Sequence, residues 1–138
     1  MASTTKGLAV VSTLRAEGSI QASLVNAAVM TDPFTGERAV AFVTYGRVKL
    51  ANLRARAQIS LTFTAGWQWA TVEGRAQLIG PDDPFNGADP EWLRLQLREI
   101  FVAAGGTHDD WEAYDRVMVE QGRTAVFVAP SRVYSNAT

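Results

Sequence analysis

The stretch from Thr44 to Arg56 (Thr44-Tyr45-Gly46-Arg47-Val48-Lys49-Leu50-Ala51-Asn52-Leu53-Arg54-Ala55-Arg56) gathers the cations Arg47, Lys49, Arg54 and Arg56 in a chain whose charge is otherwise balanced. On a helix Lys49, Asn52 and Arg56 share one face, and Leu50 and Leu53 another, because residues three and four apart are neighbours. A strand that ends at Gly46 hands the chain to a helix whose first turn exposes unpaired N–H groups and the positive end of the peptide dipoles. An arginine, a lysine and free amides then converge near one point, which suits a phosphate. Gly46 lets backbone approach the anion closely. A solvated basic helix would have the same composition, so composition alone leaves the two readings even. The position after a strand and a glycine is what points to an anion.

Other chemistry is thinly supplied. The chain has one histidine, His108, and no cysteine, which removes disulfides, thiolate metal sites and a cysteine nucleophile and makes a multi-histidine site or a Ser-His-Asp triad hard to assemble. His108 follows Thr107 and precedes two acids, so it reads as a local hydrogen-bonding group at a helix start. Asp109, Asp110, Glu112 and Asp115 are acids that the dipole near a helix start favours, and no metal site is read from them. Gly105-Gly106 lacks the strand and spacing of a dinucleotide fingerprint and reads as a helix stop. Metal-free redox chemistry remains open. No catalytic side chain or proton donor is singled out.

The elements that must position the basic segment are mostly strands. Leu8 to Arg15 and Ile20 to Met30 flank the turn Ala16-Glu17-Gly18-Ser19 and form a hairpin. Thr31-Asp32-Pro33-Phe34-Thr35-Gly36-Glu37 turns the chain into a third strand, Arg38 to Tyr45. Gln58 to Thr64 alternates, with Ile59, Leu61 and Phe63 on one face, and Ala65-Gly66 leads into a strand from Gln68 to Ile79. Trp67 and Trp69, two apart, share a face that is either core or pocket wall. Asp89 caps a helix with Pro90 at its first position, which Gly105-Gly106 stops. Thr107 caps the next, with Asp109 and Asp110 in its first turn, running to about Gln121. Trp92, Trp111 and Tyr114 fall at core-facing positions of these helices. Arg123 to Val128 is a last strand, closing at Pro130.

Antiparallel hairpins without βαβ alternation, and a strand returning after two late helices, predict a small closed barrel in one domain spanning residues 1–138. Val40, Phe42 and Val43, like Val10 and Val11, put apolar side chains on both faces of their strands, so something must cover the second face. A second copy is the simplest cover, and a homodimer joined through the barrel wall is expected. Lys and Arg number 13 against 14 Asp and Glu, which gives no electrostatic reason to bind nucleic acid or membrane. Met1 to Lys6 is polar rather than the charged start of a leader, and no apolar run approaches the length of a spanning helix, so a soluble cytoplasmic protein is expected.

The string from Gly46 to Arg54 resembles the phosphate-binding segment of the split-barrel flavin-binding superfamily that includes pyridoxamine 5′-phosphate oxidases, with Arg47, Lys49, Asn52 and Leu53 matching its basic-x-Lys-x-x-Asn-Leu pattern. Ser12-Thr13-Leu14-Arg15, Gly18 and Gln21-Ala22-Ser23 resemble its opening hairpin, and Gly66-Trp67 with Glu73-Gly74-Arg75-Ala76 its central strand pair. Gly106-Thr107-His108-Asp109-Asp110-Trp111, Tyr114 and Val133-Tyr134 resemble the actinobacterial branch that uses the deazaflavin coenzyme F420. The resemblance implies a mainly β protein with two or three short helices, a six-stranded antiparallel split β-barrel that dimerises around a cofactor groove. It places phosphate contacts at Thr44, Arg47, Lys49 and Asn52 and the ring edge at Gln21 and Ser23. Trp67 and Gln68 correspond to residues near the groove, reaching toward the partner's cofactor. The implied activity is F420-dependent reduction of an unsaturated or conjugated small molecule. The alternatives are an FMN-binding oxidase or reductase of the same fold, or a carrier without turnover. The first strand begins almost at once, without the leading helix common in relatives, and a more open pocket on that side is expected.

Overall fold

The computed structural model describes residues 7–85 and 87–136; Met1 to Lys6, the polar lead-in, lie outside the described residues. The chain runs β1 (Leu8–Leu14), β2 (Ile20–Thr31), β3 (Arg38–Thr44), α1 (Arg47–Ala55), β4 (Gln58–Ala65), β5 (Gln68–Ile79), α2 (Pro90–Ala103), α3 (Trp111–Glu120) and β6 (Thr124–Ser135). The strands close into one antiparallel barrel in the order β1-β2-β3-β6-β5-β4. Closure gives each strand two neighbours over at least part of its length, which covers much of the edge that an open sheet must otherwise shield.

Alternation places one side chain of each pair inside. Val11, Val25, Phe42, Leu61, Val72 and Val126 meet in the barrel core, and Leu50 and Leu53 of α1 join them. The opposite faces of β3, β5 and β6 present Ala41, Ile79, Ala125 and Phe127, which pack beneath Leu97 and Ile100 of α2 and Tyr114 of α3. The apolar residues on the second face of β3 are therefore covered by the chain's own helices rather than by another copy. The outward side chains of β1 and β2 differ. Leu8, Val10, Ile20 and Leu24 stay exposed, and this is the apolar face left open.

Two element boundaries depart from the local sequence signals. Helix α3 starts at Trp111, with Asp110 as its cap accepting from the Ala113 N–H at 3.1 Å. Thr107 to Asp109 form the preceding loop instead of its first turn. Strand β6 does not stop at Pro130 but continues to Ser135, because a register shift at Glu73/Gly74 lets Pro130 pair with Gly74 and Arg132 with Glu73. The extra residue, Ser131, donates its hydroxyl to the Glu73 carbonyl at 3.1 Å. Such a bulge absorbs one unpaired residue and bends its strand. No helix among the described residues is long and apolar enough to cross a membrane.

Candidate functional site

The site begins where two neighbouring strands part. The β2–β3 ladder runs from Thr31↔Arg38 only to Ala27↔Phe42. Beyond it β2 stays with β1 as far as Ile20, while β3 continues along β6 to Thr44↔Thr124. Gly46 then opens α1, whose Leu50 and Leu53 anchor it to the barrel core. The divergence leaves a cleft of ≈ 580 Å3 between Leu24–Asn26, the end of β3, and helices α2 and α3.

Lys49 lies in this cleft, 7% exposed. Its Nζ donates to Thr44 Oγ1 at 3.1 Å, and the Gly46 N–H reaches the same oxygen at 3.3 Å. Arg123, just before β6, lines the same cleft, with its guanidinium 4.0 Å from the centre of the Tyr45 ring. Burial, and then the charge of Arg123, hold the Lys49 pKa below its ordinary value. Burial lowers that of Arg123 as well. Neither cation has a carboxylate partner among the described residues. Two desolvated positive charges in one cleft are costly unless something anionic joins them.

The other predicted residues are distributed unevenly. Of the eight, Thr44 and Lys49 line the cleft. Asn52, also buried, donates to Thr13 Oγ1 at 3.1 Å, and Thr13 in turn donates to Gln21 Oε1 at 3.1 Å. That relay ties α1 to β1 and β2 beside the cleft. Ser23 follows on the β2 face shared with Gln21 and Val25, and its Oγ is buried without a hydrogen-bond partner among the described residues. Arg47 is exposed at the first turn of α1. Arg54 pairs with Asp83 at 2.7 Å, and Arg56 donates to the Leu14 carbonyl at 3.0 Å, so both already have protein partners. Trp67 sits in the β4–β5 turn rather than on a strand and is 96% exposed. Gln68, paired with Ala65, is likewise outside the cleft lining. Trp69 packs edge-on to Tyr134 with ring centres 6.2 Å apart. His108 accepts the Asp110 N–H on Nδ1 at 3.0 Å, as its position at a helix start suggested. Among the described residues no cluster of His, Asp or Glu could hold a metal.

The residues present fit a phosphate-bearing group. Two cations without carboxylate partners among the described residues, the Thr44 hydroxyl and the uncapped first turn of α1 converge. Gly46 adds a test of this space. Its backbone is extended, and a Cβ there would lie 3.8 Å from Lys49 Nζ and 3.7 Å from Thr44 Oγ1, an ordinary contact for the protein alone. Gly46→Ala is therefore expected to fold normally yet weaken anion binding by about 1–2 kcal/mol, the cost of crowding one methyl group into filled space. Unaltered affinity in a phosphate or FMN titration would remove the anion from this corner.

The fold and cleft together define a split β-barrel with a cationic pocket where two strands diverge. The chain belongs to the pyridoxamine 5′-phosphate oxidase family, whose model matches residues 4–135. Flavin-type cofactors, FMN or F420, are what this family binds. Among solved structures it is similar to a conserved protein of Mycobacterium tuberculosis, at 18% identity and a TM-score of 0.67 over 97% of this chain and 80% of that one. An F420 reductase aligns at 15% identity and a TM-score of 0.64, over 92% of this chain and 88% of the other. A pyridoxamine 5′-phosphate oxidase-related, FMN-binding protein of Nostoc punctiforme aligns at 12% identity and 0.63, over 94% and 74%. At these identities the likeness is one of fold.

Arg123 and Tyr45 are the cleft residues that sequence spacing did not reveal as a pair. Arg123 reaches the site only because β6 closes against β3, and nothing local to Gly122-Arg123-Thr124 signals that pairing.

Proposed function

We propose that this chain is a homodimeric F420-dependent oxidoreductase that reduces an unsaturated or conjugated small molecule in the cytoplasm. The observation that carries the proposal is the pair Lys49, buried, and Arg123, half-buried, which line one cleft without a carboxylate partner among the described residues. A phosphate and a polyanionic tail would neutralise them, and Thr44, Lys49, Arg123 and the first amides of α1 would hold the phosphate. When bound, the cofactor supplies the hydride. The protein's part is to fix the anionic end, exclude water with Ile100, Phe101 and Met118, and leave an open side for the acceptor.

Dimerisation is supported by the exposed apolar strip of Leu8, Val10, Ile20 and Leu24. These side chains face outward on paired strands, a flat surface that a second copy can cover with its own equivalent. The F420 reductase of similar fold favours the deazaflavin. The FMN-binding neighbour keeps FMN as the second reading, since FMN offers the same phosphate.

The deciding experiment titrates the purified protein with reduced F420 and with FMN, following tryptophan quenching, and then adds conjugated enone or quinone acceptors. Tighter F420 binding with acceptor-dependent reoxidation is expected. Tight FMN and weak F420 would select the flavin enzyme, whereas binding without turnover across the acceptors would leave a carrier.

A further inference from the structure

A second cavity, ≈ 620 Å3, lies between the loop after β5, helix α2 and helix α3. It is not the anion cleft. Met118 and Arg123 are the two residues that line both. Its volume falls within the range of small-molecule pockets, roughly 300–1,000 Å3.

The chemistry of its wall is one-sided. Pro81, Pro84, Leu93, Leu97, Met118 and Val119 give it a broad apolar wall. Prolines bring apolar rings and no N–H, so this loop offers few donors to a ligand. Every carboxylate in the lining is already engaged. Arg94 binds Glu91 and also Asp115, the latter at 3.1 Å, and Arg98 Nε donates to Asp115 Oδ1 at 3.0 Å. Asp89 accepts the Trp92 N–H at 2.8 Å as the α2 cap. The Arg123 guanidinium is turned to Tyr45 and donates through Nε to Gln121 Oε1 at 2.7 Å. A cation entering this cavity would lose its water and meet no free carboxylate, a cost of several kcal/mol, and an anion would find only Arg123, whose guanidinium is turned to Tyr45 on the side of the other cleft. A neutral molecule meets no such penalty.

The cavity is also held open without a ligand. The Arg94–Asp115 and Arg98–Asp115 pairs bridge α2 to α3, and Tyr114 Oη donates to the Leu97 carbonyl at 3.0 Å between the same helices. On the strand side Gly80 lies so close to Thr124 that a Cβ would come within 2.6 Å of its hydroxyl. Rigid walls lower the ordering cost of binding.

We propose that this α2–α3 cavity is a binding site for a neutral, predominantly apolar small molecule, separate from the anion cleft and independent of its occupant. The probe is N-phenyl-1-naphthylamine, an uncharged fluorophore that brightens in apolar surroundings. The native protein should bind it saturably, with one site per chain. Val119 is 79% exposed at the cavity rim, so Val119→Trp should fold with an unchanged melting temperature while its larger ring fills the entrance and weakens the probe at least tenfold. Lys49→Met, which alters the other cleft, should bind the probe as the native protein does. Probe binding that survives Val119→Trp would place it elsewhere, on the exposed β1–β2 face for example, and overturn the site. Loss of binding in Lys49→Met, or no saturable binding at all, would overturn it equally.

Discussion

Replacing Lys49 by methionine is expected to weaken a phosphate-bearing flavin or deazaflavin by roughly 1.5–3 kcal/mol, about what a charge-assisted hydrogen bond contributes, while the ligand-free protein becomes more stable. The two effects have one cause. The Lys49 ammonium is buried, and its contacts are one hydrogen bond to Thr44 and the Phe42 ring 5.9 Å away. Methionine keeps the apolar stem packed and removes the charge, and Thr44 Oγ1 still accepts from Gly46. A lysine kept only for structure would behave otherwise, since its loss would lower stability without touching affinity. Calorimetric titration beside thermal melting separates the cases; a variant that binds as tightly as the native chain would end the assignment.

The same residue sets a pH dependence. In the folded chain burial and Arg123 hold the Lys49 pKa below that of the unfolded chain. Between the two values the unfolded state binds more protons, so stability rises with pH through that window. Below the window the cost of the buried charge is fully present. Anion affinity runs the opposite way and falls as Lys49 loses its proton. In the native protein the melting temperature should gain on the alkaline side of the profile, and Lys49→Met should flatten that gain.

Legibility in the sequence followed the range of the interactions involved. The alternation of Ile59, Leu61 and Phe63, the Gly18 and Gly66 turns and the Asp89-Pro90 start are local, and the strands and α2 form where those signals lie. Thr44 and Lys49 meet for the same reason, being one strand end and one helical turn apart. The start of α3 was undetermined locally, because Thr107, Asp109 and Asp110 are all able caps. Tertiary packing selects Asp110: His108 is drawn against Phe101, Trp111 and Tyr114, with ring centres 5.7–6.4 Å away, which holds it in the loop before the helix. Arg123 joined the site through the β3–β6 pairing, a long-range contact. Coverage of the second face of β3 by α2 and α3 was hidden likewise, since apolar residues on both faces call for a cover without naming it.

Gly74 shows how strongly the fold depends on a position whose role lies in strand closure. Gly74→Ala is expected to destabilise the protein by roughly 3 kcal/mol, the upper end of ordinary overpacking, and a denaturation midpoint like the native one would disprove it. The added Cβ would lie 2.1 Å from the Ala129 carbonyl oxygen and 3.0 Å from its carbon, so backbone rather than a flexible side-chain tip must yield. The strain falls at the register shift between Glu73 and Gly74, where the two halves of β6 meet β5 on different alignments. Beyond it Glu73 anchors the far half, through its carbonyl to Ser131 and its carboxylate to Tyr134 Oη at 2.5 Å. Displacing Ala129 also disturbs Val128 and Val126 in the core and, further along β6, the Thr124–Thr44 pair that sets Arg123 beside Lys49. Gly46→Ala meets side chains only, and at ordinary distance. One methyl group therefore tests folding at Gly74 and anion binding at Gly46, and the contrast between the two variants separates damage to the barrel from damage to the cleft.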